Sequence, residues 1–165
     1  MERVAAPLRE MGAVIETAEG GRPPMHIKGG QTLHGINYVM PIASAQVKSC
    51  LLLAGMYAEG LTSVTEPAPT RDHTERMMTG FGYRCERNGA TASVKGGGRL
   101  QATQIDIPAD ISSAAFFMVA ASIATNAQIM LQHVGINPTR TGVIDILRLM
   151  GADICLHNQR DVGCL

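Results

Sequence analysis

The residues best suited to chemistry lie in the run Ala43-Ser44-Ala45-Gln46-Val47-Lys48. An extended segment ends near Met40, Pro41 interrupts it, and small polar residues then open an apolar helix. The free N–H groups and positive dipole end of such a helix start attract anions. Ser44 adds a hydroxyl donor and Gln46 an amide, both suited to phosphate oxygens. By spacing alone Ser44 reads first as a helix cap and second as an anion ligand. Arg71, in Thr70-Arg71-Asp72-His73-Thr74-Glu75, follows the next strand pattern, where ligand groups converge on loops. It reads either as a cation for a hydroxylated or anionic substrate or as a solvated helix-end charge. Asp72, His73 and Glu75 have the types of acid–base groups. With no nucleophile beside them they read as capping and surface residues, and no catalytic residue is assigned.

Two later segments repeat these features. Asp110-Ile111-Ser112-Ser113 opens a second apolar helix, but Asp110 opposes an anion there and reads as its cap. Arg140, in Asn137-Pro138-Thr139-Arg140-Thr141-Gly142, is open between a helix-start salt bridge and a cleft-facing cation. Gly20-Gly21, Gly29-Gly30 and Gly96 to Gly98 match no nucleotide-binding fingerprint, so no cofactor is indicated. The four cysteines form no C-x-x-C pair and the five histidines no H-x-x-x-H pair, which argues against a metal site. Cys50, inside an apolar run, reads as a reduced, buried thiol.

The elements that position these residues show themselves as a repeat. Met11-Gly12-Ala13, Phe81-Gly82-Tyr83 and Met150-Gly151-Ala152 place glycines at nearly equal intervals, each between a helical and an alternating pattern. A glycine in a left-handed conformation closes a helix at such a point. Pro41 and Pro108, separated by a similar interval, each precede an apolar helix, at 47–58 and 114–124. Strands are expected at 61–66 and 128–133. Helices headed by Arg71 and Arg140 follow them, each arginine the same distance ahead of its glycine. The first helix of each unit is apolar nearly all round and reads as buried on every side. The second is amphipathic, with Met77, Met78 and Phe81 in one copy and Val143, Ile144, Leu147 and Met150 in the other. Asp72 and Glu75 have capping-box spacing, with Thr70 an alternative cap, and Asn137-Pro138 places proline at a first helical position. Gly96 to Gly98 is the best turn or hinge. The expected domains are residues 1–100 and 101–165, with the boundary between Gly96 and Pro108.

Composition narrows the class. Of 165 residues 45% are apolar and only 4% aromatic, so the core is aliphatic and the chain globular. Lys plus Arg and Asp plus Glu both number 14, which offers no broad attraction to nucleic acid. No run approaches the roughly 18 apolar residues that span a bilayer, and Met1-Glu2-Arg3-Val4 does not begin a signal peptide. The expected setting is a reduced, cytoplasmic one, without membrane or nucleic-acid partners.

The segment from Met40 to Gly55 resembles the shikimate-phosphate-binding segment of the 5-enolpyruvylshikimate-3-phosphate synthase family. Thr70-Arg71-Asp72-His73-Thr74-Glu75, Asp110-Ile111-Ser112-Ser113-Ala114-Ala115 and Asn137-Pro138-Thr139-Arg140-Thr141-Gly142 resemble further signatures, in that family's order and spacing, from about Arg3 to Asn158. The resemblance implies an α/β (α+β) fold of repeated βαβαββ units around buried parallel helices, of the inverse α/β barrel type and incomplete here. It also implies shikimate-3-phosphate and phosphoenolpyruvate as substrates, with carboxyvinyl transfer to the 5-hydroxyl through a tetrahedral intermediate and release of phosphate. Ser44, Ala45 and Gln46 would hold shikimate-3-phosphate, Gln46 also nearing the phosphoenolpyruvate side, and Arg71 would meet the shikimate ring. The sister UDP-N-acetylglucosamine enolpyruvyl transferases share the repeat, but their reactive-cysteine loop has no match.

Two departures stand out. The family's Pro-Gly-Asp is Pro108-Ala109-Asp110 here, at a cost of about 1 kcal/mol if that position takes a positive φ. The family's N-terminal Lys-Ser and Arg anchors, glycine-rich loop and later general base also have no counterpart. General acid–base work needs a group within hydrogen-bond reach of the moving proton. The chain alone is therefore expected to be inactive, as a fragment or half of a split enzyme completed by other chains or by self-association.

Overall fold

The computed structural model describes residues 1–161, so Cys164 lies outside the described residues. It divides into two compact units, residues 1–103 and a second beginning at Gln104.

The first unit opens with helix α1 (Glu2–Glu10) and the antiparallel strands β1 (Val14–Ala18) and β2 (Arg22–Lys28). Then come β3 (Asn37–Val39), α2 (Ala45–Gly55), β4 (Leu61–Thr65), α3 (His73–Gly80), β5 (Cys85–Asn88) and β6 (Thr91–Lys95). This is one complete βαβαββ unit. Its sheet has the order β3-β4-β6-β5, with β3 and β4 parallel and the other pairs antiparallel. Parallel neighbours need a crossover, and α2 supplies it. Aliphatic side chains fill the space between α2 and the sheet: Leu51, Leu52 and Met56 pack with Met40, Val64, Val94, Met11 and Met78. Gly12, Gly82 and Gly151 all take a positive φ, at +102°, +73° and +95°, as the repeat requires.

The glycines at 96–98 form a packed turn rather than a hinge. A Cβ on Gly96 would collide with the Ala58 carbonyl, and Gly96 N donates to Gly60 O at 2.9 Å and Gly97 N to Met56 O at 3.0 Å. Glycine is needed there for close approach of two backbones.

The second unit holds α4 (Ile111–Ile123) and α5 (Gly142–Leu149), and no strand among the described residues. The strand expected at 128–133 is reduced to a single parallel bridge between Ala109 and Val134, and residues 152–157 are likewise unpaired. Strand formation depends on a neighbouring ladder, which β6 gives β5 in the first unit. The expectation that the first helix of each unit is buried on every side also fails: Leu53 on α2 is 48% exposed, and α4 departs further. Ile111 and Ala114 are buried, but Phe116 is 78% and Ile123 80% exposed. On α5, Ile144 and Leu147 face inward while Met150, expected beside them, is exposed. Ala109 does not take a positive φ, so the alanine costs nothing of the kind expected. No described helix is long and apolar enough to cross a membrane, and no group of three or more described His, Cys, Asp or Glu side chains is placed to hold a metal.

Candidate functional site

Strands β3 and β4 run side by side in the same direction, so their C-terminal ends share one edge of the sheet. The chain leaves β3 through Pro41 and enters α2; it leaves β4 through residues 66–72 and enters α3. In α/β sheets this edge is where ligands bind. Ser44, Ala45 and Gln46 sit on the first turn of α2, and Arg71 lies in the loop that leads to α3.

Ser44 is the cap of α2. Its backbone is extended (φ −155°, ψ 108°), and its Oγ accepts from Val47 N at 3.4 Å and donates to Gln46 Oε1 at 3.4 Å. Capping and ligand binding are compatible, because one hydroxyl satisfies only one of the first-turn N–H groups. Ser44 and Ala45 are half-buried and Gln46 is exposed. Arg71 is exposed as well, and no ion pair fixes its guanidinium among the described residues.

Below this surface lies a charged cluster that sequence reasoning misses. Lys48 is completely buried (0% exposed), one turn into α2. Its Nζ lies 3.1 Å from Glu66 Oε2, just past β4, and 2.7 Å from Glu75 Oε1 on α3. The Glu75 contact is ionic rather than directional: neither oxygen of that carboxylate has a well-aligned hydrogen bond among the described residues. Glu66 is better satisfied, accepting from Thr70 Oγ1 at 2.6 Å and from Thr70 N at 3.4 Å. Arg87 of β5 reaches Glu66 at 3.5 Å and Asp72 at 3.8 Å, and Arg76 pairs with Asp72 at 2.9 Å. Asp72 and Glu75 are thus not surface residues. Their capping-box spacing is coincidental: Asp72 stands at the cap position of α3 without a side-chain cap bond, and Glu75 turns inward to Lys48. The sequence does hold one signal. Lys48 is the lone charge in an otherwise apolar helix, and a buried lysine requires carboxylate partners.

Burial pushes the Glu66 carboxyl up, but the hydrogen bonds from Thr70 and the adjacent Lys48 charge outweigh it and hold the group below its ordinary 4.5. A depressed carboxyl pKa gives stability that is complete above the ordinary value and lost as pH falls through the folded one. Acid unfolding followed by circular dichroism is expected to show this loss below about pH 4.5, and Glu66→Gln to flatten that limb. Burial, reinforced by the charge of Glu75, raises the Cys85 thiol to about 11. Cys50 is raised by burial too, although it is only half-buried rather than fully enclosed.

The second unit's segments carry structural roles. Asp110 caps α4, accepting from Ser112 N at 3.1 Å. Arg140 lies 3.7 Å from Asp110 and donates to the Ser112 hydroxyl, which resolves it as a helix-start salt bridge. Helix α5 starts only at Gly142, so Pro138 is not its first residue. Asn137 Oδ1 instead accepts from Thr139 N at 2.9 Å, forming a turn before the helix. A shallow groove lined by Met56, Tyr57, Glu59 and the 96–98 glycines lies at the C-terminal end of α2, the opposite end from Ser44.

Residues 1–163 match the EPSP synthase (3-phosphoshikimate 1-carboxyvinyltransferase) family. The 3-phosphoshikimate 1-carboxyvinyltransferases of Alkalilimnicola ehrlichii and Methylococcus capsulatus are 65% and 64% identical over 163 residues. Those alignments cover 99% of this chain and 36% and 37% of the relatives, so the chain spans little more than a third of their length. The solved EPSP synthase from Acinetobacter baumannii is 61% identical with a TM-score of 0.89, over 99% of this chain and 37% of that one. A complete βαβαββ unit, four ordered motifs and a match across residues 1–163 lead to one conclusion: the chain belongs to the EPSP synthase family.

Proposed function

We propose that this chain is part of an enzyme that moves the carboxyvinyl group of phosphoenolpyruvate to the 5-hydroxyl of shikimate-3-phosphate, and that it supplies part of the shikimate-3-phosphate site. The 5-hydroxyl oxygen gives up its proton and adds to the enol carbon bearing the phosphate, while the methylene carbon takes up a proton to become methyl, giving a tetrahedral intermediate. Loss of inorganic phosphate together with a proton from that methyl group then restores the double bond. One observation supports the assignment most: the α2 start and the Arg71 loop leave adjacent parallel strands at the same sheet edge. In this reading the 3-phosphate takes the Ser44 hydroxyl, the Ala45 backbone N–H and the Gln46 amide. These donors meet it at a positive helix end. Arg71, exposed and outside any ion pair among the described residues, packs on or hydrogen-bonds the ring hydroxyls.

Proton transfer at the 5-hydroxyl needs a group in hydrogen-bond reach. Asp72 and Glu75 are not available for it, since Arg76 and Arg87 hold the first and Lys48 the second. The purified chain is therefore expected to bind shikimate-3-phosphate weakly and to release no phosphate when phosphoenolpyruvate is added. A coupled phosphate-release assay beside calorimetry checks both halves. Turnover by the chain alone contradicts the division of labour, and absence of binding contradicts the site.

A further inference from the structure

Lys48 occupies an unusual position for a charged group. It is completely buried, yet its ion pairs run to the two elements that flank the Arg71 loop. Glu66 begins that loop and grips Thr70, the residue before Arg71, through both backbone N–H and hydroxyl. Glu75 lies in the first turn of the helix that ends the loop. Lys48 itself follows closely on Gln46, and its backbone N–H donates to Ser44 O at 3.1 Å. A second tie runs alongside, from Thr74 Oγ1 to Ser49 Oγ at 2.7 Å. Well-packed apolar residues can replace a buried ion pair without loss of stability, so stability alone does not explain a charge here. An ion pair does fix the separation of the elements it joins.

We propose that Lys48 is a positioning residue, an internal clamp that sets the Arg71 loop against the Ser44–Gln46 turn. The inference rests on the reading of those residues as substrate contacts, but the clamp itself is measurable without substrate. The test compares the unmodified chain with Lys48→Met and with the double variant Lys48→Met/Glu75→Met. The double variant removes the charge of Glu75 along with its partner and leaves Glu66 to Thr70 and Arg87. The single variant leaves Glu75 buried and unpaired, so the double variant carries the test if the single one does not fold. Amide hydrogen exchange is read at Val47, at position 48 and at Thr70, with the β1–β2 hairpin as the internal reference.

The clamp predicts that the double variant regains the thermal stability of the unmodified chain, while its Val47 and Thr70 amides still exchange about tenfold or more faster. The hairpin amides stay unchanged. Exchange that recovers together with stability shows a purely structural pair and overturns the proposal. So does a double variant that fails to fold, because the charges are then needed by the core as a whole. Shikimate-3-phosphate affinity forms the second arm, in which the double variant is expected to bind at least about tenfold more weakly. If the unmodified chain binds none, the substrate reading fails and the exchange result still decides the clamp.

Discussion

Replacing Lys48 by methionine is expected to lower the unfolding free energy by about 3–5 kcal/mol. Methionine fills nearly the same volume, so little of this loss comes from a cavity. It comes from Glu75, which is 7% exposed and keeps neither its ionic partner nor any aligned hydrogen bond. Glu66 suffers less, since Thr70 and Arg87 remain. Urea denaturation reads the effect. A loss below about 1 kcal/mol shows that Glu75 finds another partner.

Gln46→Ala is expected to weaken shikimate-3-phosphate binding about tenfold to a hundredfold, the range for one hydrogen bond to a charged group. The same substitution is expected to leave stability within about 0.5 kcal/mol of the parent, because Gln46 is exposed on a helix where alanine is well tolerated. That contrast makes Gln46 a cleaner probe than Ser44. Ser44→Ala removes the cap bond to Val47 and carries a stability cost of about 1 kcal/mol along with any loss of affinity. Calorimetric titration and thermal melts on the same samples separate the two contributions.

These two side chains also show what a sequence exposes and what it hides. Ser44 and Gln46 stand in a run of small residues after a proline at a helix start, a pattern with a local physical cause. The glycines at 12, 82 and 151 are legible for the same reason, since each needs a positive φ that the chain itself dictates. Lys48 stands in the same motif, but its role is hidden because burial depends on what lies across the sheet. Its partners come from the end of β4 and from α3, both remote from it along the chain. Asp72 and Glu75 illustrate the converse. Their spacing has a ready local explanation as a capping box, and the ion pairs from Lys48 and Arg87 on other elements override it. Strand expectations divide along the same line. Residues 61–65 form a strand because β3 and β6 lie on either side, whereas the similar alternation at 128–133 meets only the bridge between Ala109 and Val134. The apolar circumference of α4 is legible too, but the surroundings that decide its burial are not a property of the helix.

In the reading proposed above, the α2 start and the Arg71 loop form one shikimate-3-phosphate subsite. The most direct measurement is a titration of the isotope-labelled chain with shikimate-3-phosphate, followed by backbone amide resonances. Saturable shifts are expected at Ser44, Ala45, Gln46 and Arg71, with matching dissociation constants, while the β1–β2 hairpin stays unmoved. Shifts confined to other parts of the chain, or none at millimolar ligand, contradict that reading.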